Sequence, residues 1–229
     1  MLRIGLADDH TMFRKGLCFF IENHDNLTLA WESENGKEAV EKALEDPADI
    51  ILMDLKMPIM DGLEASKIIL EKNEKSKIIA LTMYDEPKMI AHMLEMGIHG
   101  YILKDRSPEE LGKAIEEVYQ RGFYHNEHIK EALKKANKDK STKKMDQFTI
   151  SKREREILGF ICLEYTTEDI SQILNLSSRT IENHRNNMMQ KLGVRNSAGL
   201  VMQGYRHDLI PENIKMGLVE KKSDLLEES

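Results

Sequence analysis

Apolar residues in the first 120 positions follow two rhythms. Short, largely continuous apolar runs at 3–7, 49–53 and 77–82 suit strands buried on both faces. Between the runs, apolar residues recur three or four apart, as at Phe13, Leu17, Phe20 and Ile21, which predicts amphipathic helices. The pattern gives strands over 3–7, 27–31, 49–53, 77–82 and 100–103. Helices are predicted over 12–23, 36–44, 61–71, 87–96 and 108–119. Five strands alternating with five helices predict an α/β fold, a doubly wound five-stranded parallel sheet. In such a sheet, function gathers at the carboxyl ends of the strands. Asp8, Asp9, Asp54, Thr82 and Lys104 occupy those ends.

Past residue 148 only the helical rhythm remains. Ser151 with Glu154, and Thr166 with Asp169, are helix-start signatures ahead of apolar stripes. Asn175, Leu176 and Ser177 form a turn, and Ser177 or Ser178 caps a third helix running to about residue 191. A short helix, a turn and a longer helix make a helix-turn-helix pattern. On the third helix Ile181, His184, Met188 and Leu192 form one stripe, with His184 expected to be partly buried. The opposite face carries Arg179, Glu182, Asn183, Asn186, Asn187 and Gln190. Asn and Gln suit adenine edges, Glu suits cytosine, and Arg suits guanine or phosphate. Between the halves, residues 134–144 are polar, Lys-rich and without apolar periodicity, so a flexible linker belongs there.

Charge sharpens this division. The chain has 229 residues and a net charge of −7. Residues 1–120 carry a net −10, residues 121–148 a net +4, residues 149–210 a net +1 and residues 211–229 a net −2. An acidic first half and a basic junction suggest domains with different partners. A reading module so weakly charged sheds few counterions on DNA, so dimerisation is expected to be needed for useful affinity. No run approaches the roughly 18 apolar residues of a membrane span. With no signal-peptide pattern at the N-terminus either, a soluble cytoplasmic protein without a membrane partner is expected. Cys18 and Cys162 fall in helix patterns and are expected to be reduced core residues.

The strand-end set has a definite chemistry. Three carboxylates brought together repel unless a cation joins them. Oxygen-only ligands suit Mg²⁺, which keeps waters and accepts a phosphate oxygen. An aspartate beside Mg²⁺ can take a phosphoryl group as nucleophile. A lysine and a hydroxyl can bind the remaining phosphoryl oxygens.

Residues 1–121 resemble the receiver domain of two-component response regulators, a flavodoxin/CheY-like fold. The signatures are Asp8-Asp9-His10, the run from Asp54 through Pro58 to Asp61-Gly62, Leu81-Thr82, and Gly100-Tyr101 with Lys104. The resemblance implies that a sensor histidine kinase phosphorylates Asp54. It implies Mg²⁺ held by Asp9, Asp54 and the Lys56 backbone carbonyl, with Asp8 acting through water. Thr82 and Lys104 would bind the phosphoryl group, and Tyr101 would turn inward as a switch.

Residues 148–210 resemble the LuxR/NarL (FixJ) type of DNA-binding domain, an all-α four-helix helix-turn-helix unit. The residues are Ser151 to Leu158, then Asp169-Ile170-Ser171, Ser178 to Arg185, and Gln190 to Arg195. This implies Thr180 and Lys191 at phosphates of promoter DNA, and Glu182, Asn183 and Asn186 at base edges. Ala198, Val201, Met202 and Tyr205 of the fourth helix would form a homodimer, on phosphorylation or DNA binding. RNA polymerase is a further candidate partner. Residues 122–147 are then a helical or flexible linker and 211–229 a C-terminal extension.

Departures from both patterns set further expectations. Met83 replaces a commonly small residue and is expected to narrow access to the phosphate. Asp105 replaces a proline often preceded by a cis bond, so the following turn is expected to differ. Glu164 stands where a glycine usually ends the first helix of the second unit, so that helix is expected to end differently. A receiver used as a dimerisation or small-molecule-binding module, with phosphate-independent DNA binding, is the alternative. A phosphatase of the haloacid dehalogenase type needs a second Asp two residues after the nucleophile, where Lys56 stands. No enzyme is expected.

Overall fold

In the computed structural model, residues 1–73, 75–83, 87–124, 150–207, 209–211 and 214 are described. The first unit alternates as expected: β1 (Leu2–Ala7), α1 (Thr11–Glu22), β2 (Leu27–Ser33), α2 (Gly36–Glu45), β3 (Ile50–Asp54), α3 (Gly62–Lys72), β4 (Lys77–Thr82), α4 (Pro87–Met96), β5 (Gly100–Leu103) and α5 (Pro108–Arg121). All strand pairings are parallel, in the order β2-β1-β3-β4-β5. β1 and β3 are therefore neighbours, and the register of Ala7 beside Met53 brings Asp8 next to Asp54. Successive β3 residues belong to different cores, Ile50 and Leu52 to one and Ile51 and Met53 to the one that includes α2 and α3. A strand covered on both faces needs that arrangement.

α5 outruns its predicted end by two residues, to Arg121, where Gly122 at φ +80 stops it with a left-handed cap. Phe123 and Tyr124 then bury themselves in the same core, and the Tyr124 N–H donates to the His99 carbonyl at 2.8 Å. The boundary expected at residue 121 thus falls inside the packing of the first unit. Most of the expected linker, and Phe148, lie outside the described residues.

The second unit comprises α6 (Lys152–Cys162), α7 (Thr167–Leu174), α8 (Ser178–Leu192) and α9 (Ser197–Arg206). Both predicted capping boxes form, and Ser177 rather than Ser178 caps α8. Ile181, Met188 and Leu192 are buried and His184 is half-buried. Glu164 does not change how α6 ends. It adopts the left-handed conformation itself, at φ +68, which costs a non-glycine residue about 1 kcal/mol. Its carboxylate lies 3.4 Å from Arg121 Nη1, at the end of α5. Pro211 and Ile214 of the C-terminal extension pack against α6 at Gly159, where a Cβ would meet Ile214 Cδ1 at 2.7 Å. Cys18 and Cys162 are free and buried.

One apolar cluster runs through the cores of both units, and α9 packs on α4. Asn196, the N-cap of α9, accepts from the Gly199 N–H with Oδ1 and donates through Nδ2 to the Gly97 carbonyl at 2.6 Å. Arg206 pairs with Glu95 of α4.

Candidate functional site

The acidic site forms where β1, β3 and β5 end. One carboxylate oxygen from each of Asp8, Asp9 and Asp54 lies within 4.8 Å of the others. Asp8 and Asp54 are buried, while Asp9 is exposed. Lys104 Nζ sits 2.8 Å from Asp8 Oδ2 and 2.8 Å from Asp54 Oδ2, over the Phe13 ring. Asp54 Oδ1 accepts from the Lys56 N–H at 3.3 Å. Three carboxylates against one ammonium leave an excess of negative charge among hard oxygen donors, which fits a divalent cation of the Mg²⁺ type.

Burial raises the Asp54 pKa above the usual carboxylate value; Lys104 opposes the rise and Asp8 adds to it. Burial works against the Lys104 ammonium, but the two carboxylates outweigh it and hold its pKa above normal. Thr82, at the end of β4, is buried.

Backbone approach shapes the site as well. The Gly62 N–H donates to the Leu55 carbonyl at 3.0 Å. A Cβ on Gly62 would lie 1.8 Å from the Asp54 carbonyl oxygen, so only glycine lets α3 start this close to the reactive strand end. Asp61 caps α3 by accepting from the Glu64 N–H at 2.8 Å. Both residues stood in the recognised motif, without a role read from it.

On α8 the residues Arg179, Glu182, Asn183, Asn186, Asn187 and Gln190 are exposed, and Thr180 is half-buried. Three of the predicted DNA contacts already have partners. Thr180 Oγ1 lies 2.8 Å from Ser177 Oγ. Glu182 accepts from Thr167 Oγ1 at 2.7 Å and pairs with Arg185 at 3.3 Å. Lys191 Nζ contacts both oxygens of Glu154, at 2.7 and 2.8 Å.

Comparison with known proteins agrees with both halves. Residues 4–116 match the response regulator receiver domain. Residues 149–203 match bacterial regulatory proteins of the luxR family. The chain is 33% identical over 216 residues to the oxygen regulatory protein NreC of Staphylococcus epidermidis, spanning 91% of this chain and 99% of that protein. It is 32% identical over 212 residues to the response regulator protein VraR of Staphylococcus saprophyticus, with the same coverage. This chain is a LuxR-family response regulator. A solved complex of the response regulator RcsB with DNA is similar in fold, with a TM-score of 0.54 and 27% identity, covering 89% of this chain and 96% of that one.

As in its family, the response regulator joins a receiver to a LuxR-type DNA-binding domain and is a transcription regulator. Its expected switch residue, Tyr101, is only 2% exposed and already part of the core. Met83 turns a 70% exposed side chain to solvent. No cis peptide occurs among the described residues, so Lys104–Asp105 is trans. Of the expected dimerisation residues, Ala198, Val201 and Met202 are buried and Tyr205 is half-buried. Ala198, Met202 and Arg206 follow one another at i, i+4 and share one face of α9. Arg206 of that face pairs with Glu95 of the receiver. No described helix is long and apolar enough to cross a membrane.

Proposed function

We propose that this response regulator is switched by phosphorylation of Asp54, and that the switch acts by releasing α9. The observation that carries the reading is the placement of Ala198 and Met202 on the α9 face that carries Arg206, the partner of Glu95 in the receiver. Dimerisation and receiver docking then compete for one stripe, and only one can hold at a time.

Asp9, Asp54 and the Lys56 carbonyl would hold Mg²⁺, with Asp8 supporting it through water. When bound, the cation supplies positive charge to the incoming phosphoryl oxygens. An Asp54 carboxylate oxygen attacks phosphorus, an O–P bond forms, and the P–N bond to the histidine of a sensor kinase breaks. Lys104 turns from its carboxylates to the transferred group, and the Thr82 hydroxyl donates to another oxygen. A groove of about 300 Å³ opens beside Lys104, lined by Met12, Phe13, Leu17, Leu103, Pro108 and Leu111. It offers the kinase an apolar surface next to the acceptor.

The added charge of about −2 favours a receiver packing that no longer fits α9. Freed α9 stripes pair, and two α8 helices reach adjacent half-sites in the major groove. Asn183 and Asn186 would read base edges, with Glu182 and Arg179 beside them and Thr180 and Lys191 at phosphates. The docked receiver leaves this reading face exposed. Control therefore falls on pairing, and reading follows from it.

Beryllofluoride with Mg²⁺ tests this directly. Sedimentation should show monomer becoming dimer, and promoter affinity should rise with it. Unchanged size and affinity would sink the reading. With acetyl phosphate and Mg²⁺, wild-type protein should gain one phosphoryl mass and Asp54→Asn none.

A further inference from the structure

Arg14 interrupts the apolar stripe of α1, and the site described above gives it no part. Its side chain is nonetheless 4% exposed. A guanidinium buried so far needs partners on all sides, and it has them. Nη1 donates to the Asp8 carbonyl oxygen at 2.6 Å. Nε donates to Glu32 Oε2 at 3.1 Å, and Nη2 pairs with Glu34. Glu32 is braced in turn by Lys15 Nζ at 2.6 Å. Arg14 thus ties the turn after β1 to the end of β2.

The turn is the one that carries two of the three site carboxylates. Two further ties end at Asp8. The Asp8 N–H donates to the Ser33 carbonyl at 3.1 Å. Asp8 Oδ1 accepts from the His10 N–H at 2.9 Å. Asp9 stands in solvent on the far side of the Asp8–Asp9 peptide. A peptide unit is planar. Holding the Asp8 carbonyl oxygen therefore restrains the direction in which the Asp9 N–Cα bond leaves, and so narrows the positions that the Asp9 carboxylate can reach.

We propose that Arg14 is a positioning residue for the divalent-cation site. By gripping the Asp8 carbonyl against Glu32 and Glu34, it holds the Asp8–Asp9 peptide in the plane that points Asp9 toward Asp54. The inference rests on the reading of Asp8, Asp9 and Asp54 as a Mg²⁺ site. It assigns to Arg14 the supporting work that residues behind metal ligands commonly do.

The test uses the full chain as wild type, Arg14→Lys and Glu34→Gln. Lysine keeps the charge but cannot bridge three partners. Glu34→Gln loosens the guanidinium from a solvent-facing side and leaves the turn untouched. Mg²⁺ binding is read by titration calorimetry, melting is read without metal, and phosphoryl uptake from acetyl phosphate is read against Mg²⁺ concentration. Arg14→Lys should weaken Mg²⁺ binding about tenfold, with uptake restored at saturating Mg²⁺. Glu34→Gln should shift the affinity the same way by less. A role confined to stability would lower melting and leave Mg²⁺ affinity at the wild-type value in both variants, and that result overturns the proposal. If Arg14→Lys does not fold, Glu34→Gln decides alone. Wild type that binds no Mg²⁺ removes the site reading, and this inference with it.

Discussion

At the carboxyl end of the receiver sheet, two buried carboxylates share one lysine 2.8 Å from each. On α8, the polar face stands in water, and the charges of Glu182 and Lys191 are spent on Arg185 and Glu154. Chemistry in the first region is set by burial. Lys104 and Asp54 are both shifted from their ordinary pKa values, because burial penalises the Asp54 carboxylate and strengthens the pull of the two carboxylates on Lys104. The second region has no such field. A reading helix with few free cations in a domain of net +1 is expected to gain its affinity by doubling its contacts. The proposed control by docking fits that weakness: a covered pairing stripe on α9 would disable the reader without touching its reading face.

The sharpest way to break the comparison is to remove the shared lysine. Lys104→Met leaves Asp8 and Asp54 without a counter-charge in a buried site. Removing one partner of a buried ion pair costs about 3 kcal/mol or more. Thermal melting without metal should fall accordingly, and added Mg²⁺ should recover more stability in the variant than in wild type. A variant melting like wild type without Mg²⁺ would mean that the carboxylates are already protonated or hydrated, and the contrast between the regions would vanish. No exposed charge on α8 should show a comparable effect.

Next comes the reading face itself. Asn183→Ala should cost about 1–3 kcal/mol at one base position and little elsewhere, measured by binding to a set of single-base operator variants. Glu182→Gln separates reading from bracing. A loss confined to one base makes Glu182 a reader. A uniform loss together with lower melting makes it a brace that holds Thr167 and Arg185.

Much of this is legible in the order of the amino acids. Buried parallel strands must be apolar on both faces, so Ile50 to Met53 announced itself, and the strand-end rule then placed Asp8, Asp54, Thr82 and Lys104. Capping boxes at Ser151 and Thr166 are local hydrogen-bond chemistry, and local chemistry is written in adjacent residues. Asn196 shows why the docking was not legible. Its cap on α9 is a bond to the Gly199 N–H three residues along; its second bond, to Gly97, depends on a surface 99 residues away. Glu95 and Arg206 read as ordinary surface charges. Arg14 reads as a polar break in an apolar stripe, because its value lies in a carbonyl and two glutamates brought by other strands. Glu164 does not end α6 differently, as the sequence suggests it would; it takes the left-handed turn itself, at φ +68, and its carboxylate faces Arg121 of the receiver.

A third test uses acidity to sharpen the docking. His99 is buried between β4 and α9. Its Nδ1 accepts from the Ile78 N–H at 3.2 Å, and its Nε2 faces Asn196 Nδ2 at 3.2 Å. Burial, with Lys77 nearby, pushes its pKa down from 6.5 to about 3. The folded pKa is depressed, so its stabilising effect is full above pH 6.5 and is lost as pH falls toward 3. Opening that wets the ring restores the ordinary pKa. Each pH unit below that point should therefore favour the open form by about 1.4 kcal/mol. X-ray scattering from pH 7.5 to 5.5 should show expansion in wild type and a flatter response in His99→Gln. An identical response in both would disconnect His99 from the docking.

The smallest effect is the most specific. Glu95 and Arg206 form a half-buried pair across the docked surface, worth roughly 0.5–1 kcal/mol at such exposure. Glu95→Ala alters only the receiver and leaves the DNA-binding domain chemically intact, whereas Asn196→Ala would also strip the cap from α9. Without a phosphoryl group, Glu95→Ala should shift the monomer–dimer balance and promoter affinity upward by about two- to fivefold. With beryllofluoride and Mg²⁺ the two proteins should converge, because neither is docked and the pair is absent from both. A change that acts only through the docked state must disappear when that state does. An equal gain with and without beryllofluoride would place the effect of Glu95 elsewhere, and pairing would no longer be the step the receiver controls.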